Sequence, residues 1–129
     1  RPGGKIAFSH YPLLLGPAGE DLLDEAFRRQ GEPPPRFRVI TDYETACGAL
    51  ERHCGPVTHH RWTRPLDVAF LADFFAIPAQ SASLFPGCDY AARQARIAPL
   101  LEELRAWESR GGAVVWRLAE CTKPRRGAG

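Results

Sequence analysis

The sequence predicts an α/β domain, a small sheet of three to five strands with helices packed on at least one of its faces. The first half alternates strand-like and helix-like stretches, an order typical of helices packed on a sheet. Later, a helical pattern over residues 98–110 is followed by two glycines and a β-branched, aromatic run at 114–118. The second half does not repeat the alternation, so an α+β arrangement is the alternative.

The first half supplies two predicted strands and two predicted helices. Residues 5–9 and 37–41 have strand composition, and an amphipathic helix over 20–30 lies between them. A parallel pairing of the two strands through a right-handed crossover is the default for such a unit. Asp42 or Thr41 can cap the N-terminus of a second helix, which should end at Gly55 and Pro56.

The helix over residues 98–110 is the clearest single element of the second half. Four apolar side chains recur at the spacing of one helical face, namely Leu100, Leu101, Leu104 and Trp107. We expect Pro99 in the first turn, where its missing N–H costs nothing. Gly111 and Gly112 should end the helix, because glycine readily adopts the left-handed conformation that closes a last turn.

The rest of the second half is less regular. Residues 57–64 alternate weakly and predict an edge strand or a loop. Residues 65–77 predict a helix that starts at the proline, although a buried strand over 67–71 fits too. A short helix over 90–97, capped by Asp89, should stop or kink at the following proline. Four side chains of the 65–77 stretch share the helical spacing: Leu66, Phe70, Phe74 and Ile77.

Length and composition restrict the class of protein. A chain of 129 residues predicts one domain, over residues 1–122, followed by a basic tail at 123–129. No apolar run reaches the roughly 18–20 residues of a membrane span, so no membrane partner is expected. The first residue is Arg1 and not Met, so we expect a piece excised from a longer protein. Four cysteines without a secretory signal favour reduced thiols and an intracellular location.

The region around residues 47–60 suggests a zinc site as one alternative. Cys47, Cys54 and His59 offer thiolate and imidazole, which are the usual zinc donors. The two cysteines are about two helical turns apart and therefore fall on a similar face. The spacing matches no common zinc pattern, so packing cysteines and a solvated histidine are the competing interpretation. Zinc is the one cofactor that the sequence suggests.

A second alternative is a small enzyme. Ser9, His10 and Asp42 lie where the first two predicted strands end, and in an open α/β sheet such positions face the ligand crevice. We therefore name this trio as candidate catalytic residues. No glycine-rich phosphate loop accompanies them. A thiol nucleophile at Cys88 with a nearby imidazole is a weaker variant of the same idea.

The leading prediction is a binding module, because no catalytic arrangement stands out. Its candidate contact residues are His59, His60, Arg61, Trp62 and Arg64. Tryptophan stacks on bases while arginine neutralises phosphate, and both are also favoured anchors of protein interfaces. The partner is accordingly a protein or a nucleic acid, although a net charge of +2 is too small to indicate nucleic acid alone. The competing interpretation is a solvated rim with Trp62 partly buried.

Overall fold

The computed structural model describes residues 3–10, 12–33 and 42–124. Its strands and helices are β1 (Lys5–Ser9), β2 (Leu13–Leu15), α1 (Leu22–Arg29), α2 (Tyr43–Cys54), β3 (Val57–Pro65), α3 (Val68–Ala76), α4 (Pro78–Ser81), α5 (Tyr90–Glu108) and β4 (Ala113–Thr122). The four strands form one antiparallel sheet, so the predicted α/β class with a small sheet is confirmed. The predicted strand at 37–41, and with it the expected parallel pairing, lies outside the described residues.

Strand β4 is the centre of the sheet, since it pairs with β1, β2 and β3. Its pairing with β1 is antiparallel and runs from Lys5 opposite Thr122 to Ser9 opposite Leu118. The backbone N–H of His10 extends this ladder by donating to the carbonyl of Arg117 at 3.1 Å. Because side chains alternate along a strand, the register fixes which residues of β1 and β4 share a face.

The chain divides into two compact units. The first comprises Arg1–Pro12, Val39–Thr63 and Val115–Gly129, and the second comprises Leu13–Arg38 and Arg64–Val114. Strands β3 and β4 therefore contribute residues to both. The single domain over residues 1–122 and the tail at 123–129 stay predictions.

In the first unit, α2 packs on the sheet. Asp42, one of the two predicted caps, precedes this helix, and its carboxylate accepts from the Thr45 N–H at 2.7 Å. Tyr43 and Cys47 are buried on the side of α2 that contacts the sheet, where Ala119 of β4 completes a core cluster. Three partly buried side chains pack against the cluster, namely Phe8, Leu50 and Val57.

In the second unit, α1 and α3 both pack against α5. Leu100 and Leu104 are almost fully buried there, as the helical pattern predicted. The expected position of Pro99 in a first turn is wrong, because one helix runs from Tyr90 to Glu108 and Pro99 lies inside it. The helix does end at the twin glycines: Gly111 adopts a φ of +85°, and Gly112 N–H donates to Trp107 O at 2.8 Å.

Helix α3 confirms the helical interpretation of residues 65–77 but starts later and buries a different face. Pro65 is the last residue of β3, and Asp67 caps the helix by accepting from the Phe70 N–H at 3.1 Å. The buried residues of α3 are Val68, Leu71 and Phe75, and none of them belongs to the predicted stripe. Phe70 and Ile77 of that stripe are instead 50% and 49% exposed.

No helix among the described residues is both long and apolar enough to cross a membrane.

Candidate interaction surface on strand β3

The predicted binding residues lie on a strand, which decides between the two structures expected for residues 57–64. His59, Arg61 and Trp62 are exposed, and His60 is half-buried. These four residues belong to the first unit, and we call them the β3 surface. Arg64 is also exposed but lies in the second unit. The segment is therefore accessible along most of its length, with side chains available on both sides of the strand.

The two sides of β3 carry different chemistry. Val57 packs against the core cluster and His59 contacts Tyr43, so these side chains point towards α2. By the alternation of a strand, Arg61 belongs to the same row, whereas His60 and Trp62 point to the opposite side of the sheet. We call the two sides the α2 face and the open face. No described helix of the first unit lies on the open face.

The open face presents an ordered aromatic pair. The rings of His60 and Trp62 stack with an interplanar angle of 18° and a centroid distance of 6.1 Å. Trp62 nevertheless remains 54% exposed. An exposed tryptophan that already rests on a neighbouring ring loses less side-chain entropy on binding than a free one, because its rotamer is restricted beforehand. The pair is therefore suited to anchoring a partner.

An ion pair lies on the same open face. Lys5 Nζ donates to Glu120 Oε1 at 2.8 Å across the β1–β4 ladder. The Lys5 ammonium group holds the pKa of the Glu120 carboxyl below its ordinary value, with a smaller contribution from nearby His60. A carboxylate thus sits beside the aromatic pair, and the nearest lysine on this face is already neutralised by it.

On the α2 face, a buried tyrosine positions one histidine of the β3 surface. The Tyr43 hydroxyl and His59 Nδ1 lie 2.9 Å apart in a hydrogen bond. Burial is the first cause that raises the pKa of Tyr43, followed by the neighbouring Cys47 thiol. The guanidinium of Arg117 lies over the Tyr43 ring at 4.3 Å and also donates to Glu44 at 2.8 Å. These contacts hold Tyr43, and through it His59, in one orientation.

Sequence reasoning missed Tyr43 and Arg117. In the sequence, Tyr43 is an ordinary residue of the first turn of α2. Arg117 is one of several residues of the strand β4. Their contact joins residues that are far apart in the chain, which no local pattern reveals. The one usable signal was the strand alternation of β4, which places Arg117 on the same face as the buried Ala119.

The described contacts give the three candidate catalytic residues different roles, and the catalytic trio stays a prediction. Asp42 accepts from both the backbone N–H and the hydroxyl of Thr45, and these bonds lower the pKa of its carboxyl. Its carboxylate therefore serves as the cap of α2. The His10 ring meets the Tyr43 ring edge-on at 6.1 Å on the α2 face. Ser9, one residue earlier in the ladder, points to the open face.

Each candidate zinc ligand has a described partner other than a metal. Cys54 is buried and hydrogen-bonds with Cys121, whose thiol pKa is raised first by burial and then by that bond. Cys47 lies beside Tyr43 in the core cluster, and His59 is bonded to Tyr43. Across the described residues, no three His, Cys, Asp or Glu side chains gather as metal ligands would. The zinc site stays a prediction.

Cys88, the alternative nucleophile, lies in the second unit just before the Asp89 cap of α5. Arg96 Nη1 donates to its sulfur at 3.1 Å, and the same guanidinium forms an ion pair with Glu32. Arg96 also covers the Phe85 ring at 4.1 Å. The described contacts of the Cys88 thiol therefore involve an arginine and no histidine, whereas the nucleophile proposal required an imidazole.

Comparison with protein-family models, with curated proteins and with solved structures finds no match for this chain.

Proposed function

We propose that this chain is a binding module whose β3 surface contacts a protein partner. The observation that carries the proposal is the stacked His60–Trp62 pair, which presents a 54% exposed tryptophan on the open face of the sheet. Tryptophan and arginine are over-represented among the residues that dominate protein interfaces. Arg61, also exposed, supplies the second of these residue types on the α2 face of the same strand.

Charge favours a protein over a nucleic acid as the partner. Nucleic-acid binding depends on cations that neutralise phosphates. On the open face, Lys5 is already paired with Glu120, and that carboxylate lies near His60. A phosphate brought to the aromatic pair would therefore have to compete with Glu120 for the Lys5 ammonium group. A protein segment requires no such run of free cations, so the same surface suits it better.

Photo-crosslinking from position 62 tests the proposal. A photoreactive phenylalanine derivative replaces Trp62, and in a matched variant it replaces Tyr90, a 43% exposed aromatic residue of the second unit. Both variants are expressed in the cells that naturally make the protein and are irradiated there. We expect protease-sensitive, nuclease-resistant adducts from position 62 and not from position 90. Equal adducts from both positions, or none from position 62, would refute the proposal.

An oligonucleotide titration separates the two partner classes. Fluorescently labelled single-stranded DNA and RNA of random sequence are titrated with the protein at low and moderate salt. We expect weak binding that does not differ between the wild type and Trp62→Ala. Tight binding that requires Trp62 and falls steeply with salt would instead assign a nucleic-acid partner to this surface.

A further inference from the structure

We propose that the outer edge of β3 binds an extended segment of the partner protein as an additional strand, and that this segment alternates acidic with apolar residues. The inference rests on the proposed protein-binding function and adds the chemistry of the partner and its mode of binding. Three observations carry it: the direction of the backbone groups of β3, the charge of its side chains, and the difference between its two faces.

The backbone of β3 has hydrogen-bonding groups that point away from β4. Leu66, directly after the strand, donates its N–H to Gly112 O at 2.8 Å and so points towards β4. Backbone groups alternate in direction along an antiparallel strand, so the N–H and C=O groups of His59, Arg61 and Thr63 point outwards. Pro65, which has no N–H, occupies an outward position, where proline is tolerated.

These outward groups lie at an edge of the described sheet. Within the described residues, β3 pairs with β4 and with no other strand. Seven of its nine residues are exposed, including every residue from Arg61 to Pro65. A long accessible edge of this kind offers main-chain hydrogen bonds to an extended peptide, while its side chains select the sequence.

The side chains of β3 specify an acidic partner. The strand VTHHRWTRP contains two arginines and two histidines and no acidic residue. A second copy of this chain paired through the same edge would bring together two strands that carry arginines and no acidic residue, and like charges across strands are unfavourable. Acidic side chains would instead face Arg61, whose guanidinium is exposed and forms no ion pair among the described residues.

The two faces of the strand predict the alternation within the partner. A strand added at this edge would place every second side chain beside the α2-face row of His59 and Arg61. The intervening side chains would lie beside the open-face pair of His60 and Trp62. Residues directly opposite each other on neighbouring strands interact favourably when they carry opposite charges. An aromatic residue opposite a β-branched one is favourable as well. The preferred segment therefore carries Asp or Glu on one side and Val, Ile or an aromatic residue on the other.

Selection from a displayed library of random heptapeptides, with the whole chain as bait, tests this inference. We expect the selected peptides to be enriched in alternating acidic and apolar residues and depleted in proline. The best peptide is then synthesised with N-methyl groups on the amides of one edge or of the other. Methylation of the pairing edge should abolish binding, whereas methylation of the opposite edge should leave it unchanged.

Two variants of β3 and one control complete the test. Arg61→Glu should weaken the selected peptide by about tenfold or more, since an attractive charge pair becomes repulsive. Thr63→Pro should also remove binding, because it deletes an outward N–H that the sheet itself does not use. Arg52→Glu changes an equally exposed arginine on α2 and should have little effect. Circular dichroism checks that each variant is folded.

These measurements also distinguish failure of the edge-strand inference from failure of the proposed protein-binding function. Peptides that require Trp62 but bind Thr63→Pro and Arg61→Glu as well as the wild type would overturn the edge-strand inference and leave the protein-binding function standing. The same holds if no peptide with acidic alternation is selected while position 62 still crosslinks to a protein. Absence of both peptide binding and crosslinks would refute the two proposals together, and would mean that the cationic edge only prevents aggregation.

Discussion

Gly112→Ala should destabilise the protein by about 2–4 kcal/mol, because the space beside Gly112 is already filled. A Cβ at this position would lie 2.9 Å from the Trp107 carbonyl oxygen and 3.0 Å from Leu66 Cδ2. The Trp107 oxygen is also the acceptor of the Gly112 N–H, at 2.8 Å. Over-packing of a core costs about 1–3 kcal/mol. Displacement of the Trp107 oxygen also weakens its hydrogen bond with the Gly112 N–H, and a hydrogen bond contributes about 0.5–1.5 kcal/mol in total.

Urea denaturation followed by tryptophan fluorescence measures this change. Gly111→Ala is the matched control, because a Cβ there meets nothing closer than 3.8 Å and only the φ of +85° opposes it. That strain costs about 1–2 kcal/mol, so the control should be the less damaging of the two. A free energy of unfolding for Gly112→Ala within about 0.5 kcal/mol of the wild-type value would refute the over-packing argument, because ordinary surface substitutions have effects of that size.

Three further predictions concern the first unit. Gly48→Ala should stabilise α2 by about 0.5–1 kcal/mol in the same urea assay, because glycine is a poor helix residue and the added Cβ meets only the flexible end of Arg52 at 3.5 Å. Asp42→Ala should cost about 1 kcal/mol, whereas Asp42→Asn, which still caps, should cost much less; a loss of the same size in both would contradict the capping role. Lys5→Ala should raise the pKa of Glu120 towards its ordinary value in a carbon-13 NMR titration. Because the folded-state pKa of Glu120 is lowered, its pair with Lys5 favours folding above the unfolded-state pKa, and this contribution is lost as the pH falls through the folded-state pKa.

Local patterns were sufficient for most of the helices and strands. The caps at Asp42 and Asp89 and the glycine end of α5 were predicted, because they depend on residues within a few positions of one another. Pro99 was misjudged because local sterics favour a helix start at proline. In the structure, Ile97 and Leu100 are buried on either side of it. Burial of this kind can outweigh the roughly 3 kcal/mol cost of an interior proline.

The surface was predictable in part. The choice of Arg61 and Trp62 as candidate contact residues followed from the composition of residues 59–64, but their separation onto two faces required knowing that the segment is a strand. The contact between Tyr43 and His59 depends on how α2 packs on the sheet. The opposite side-chain directions of Ser9 and His10 could not be predicted either, since a position at the end of a strand does not fix which way its side chain points.

The central place of β4 has a consequence for biosynthesis. It follows β1, β2 and β3 in the chain, and each of them takes it as a partner. While the ribosome is still translating the residues before Ala113, these three strands have emerged without the strand that they pair with. Helices, whose hydrogen bonds are local, can form during that interval, whereas the sheet must wait. The two arginines of β3 would keep the unpaired strand soluble until β4 has been synthesised, because like charges discourage its association with other nascent chains.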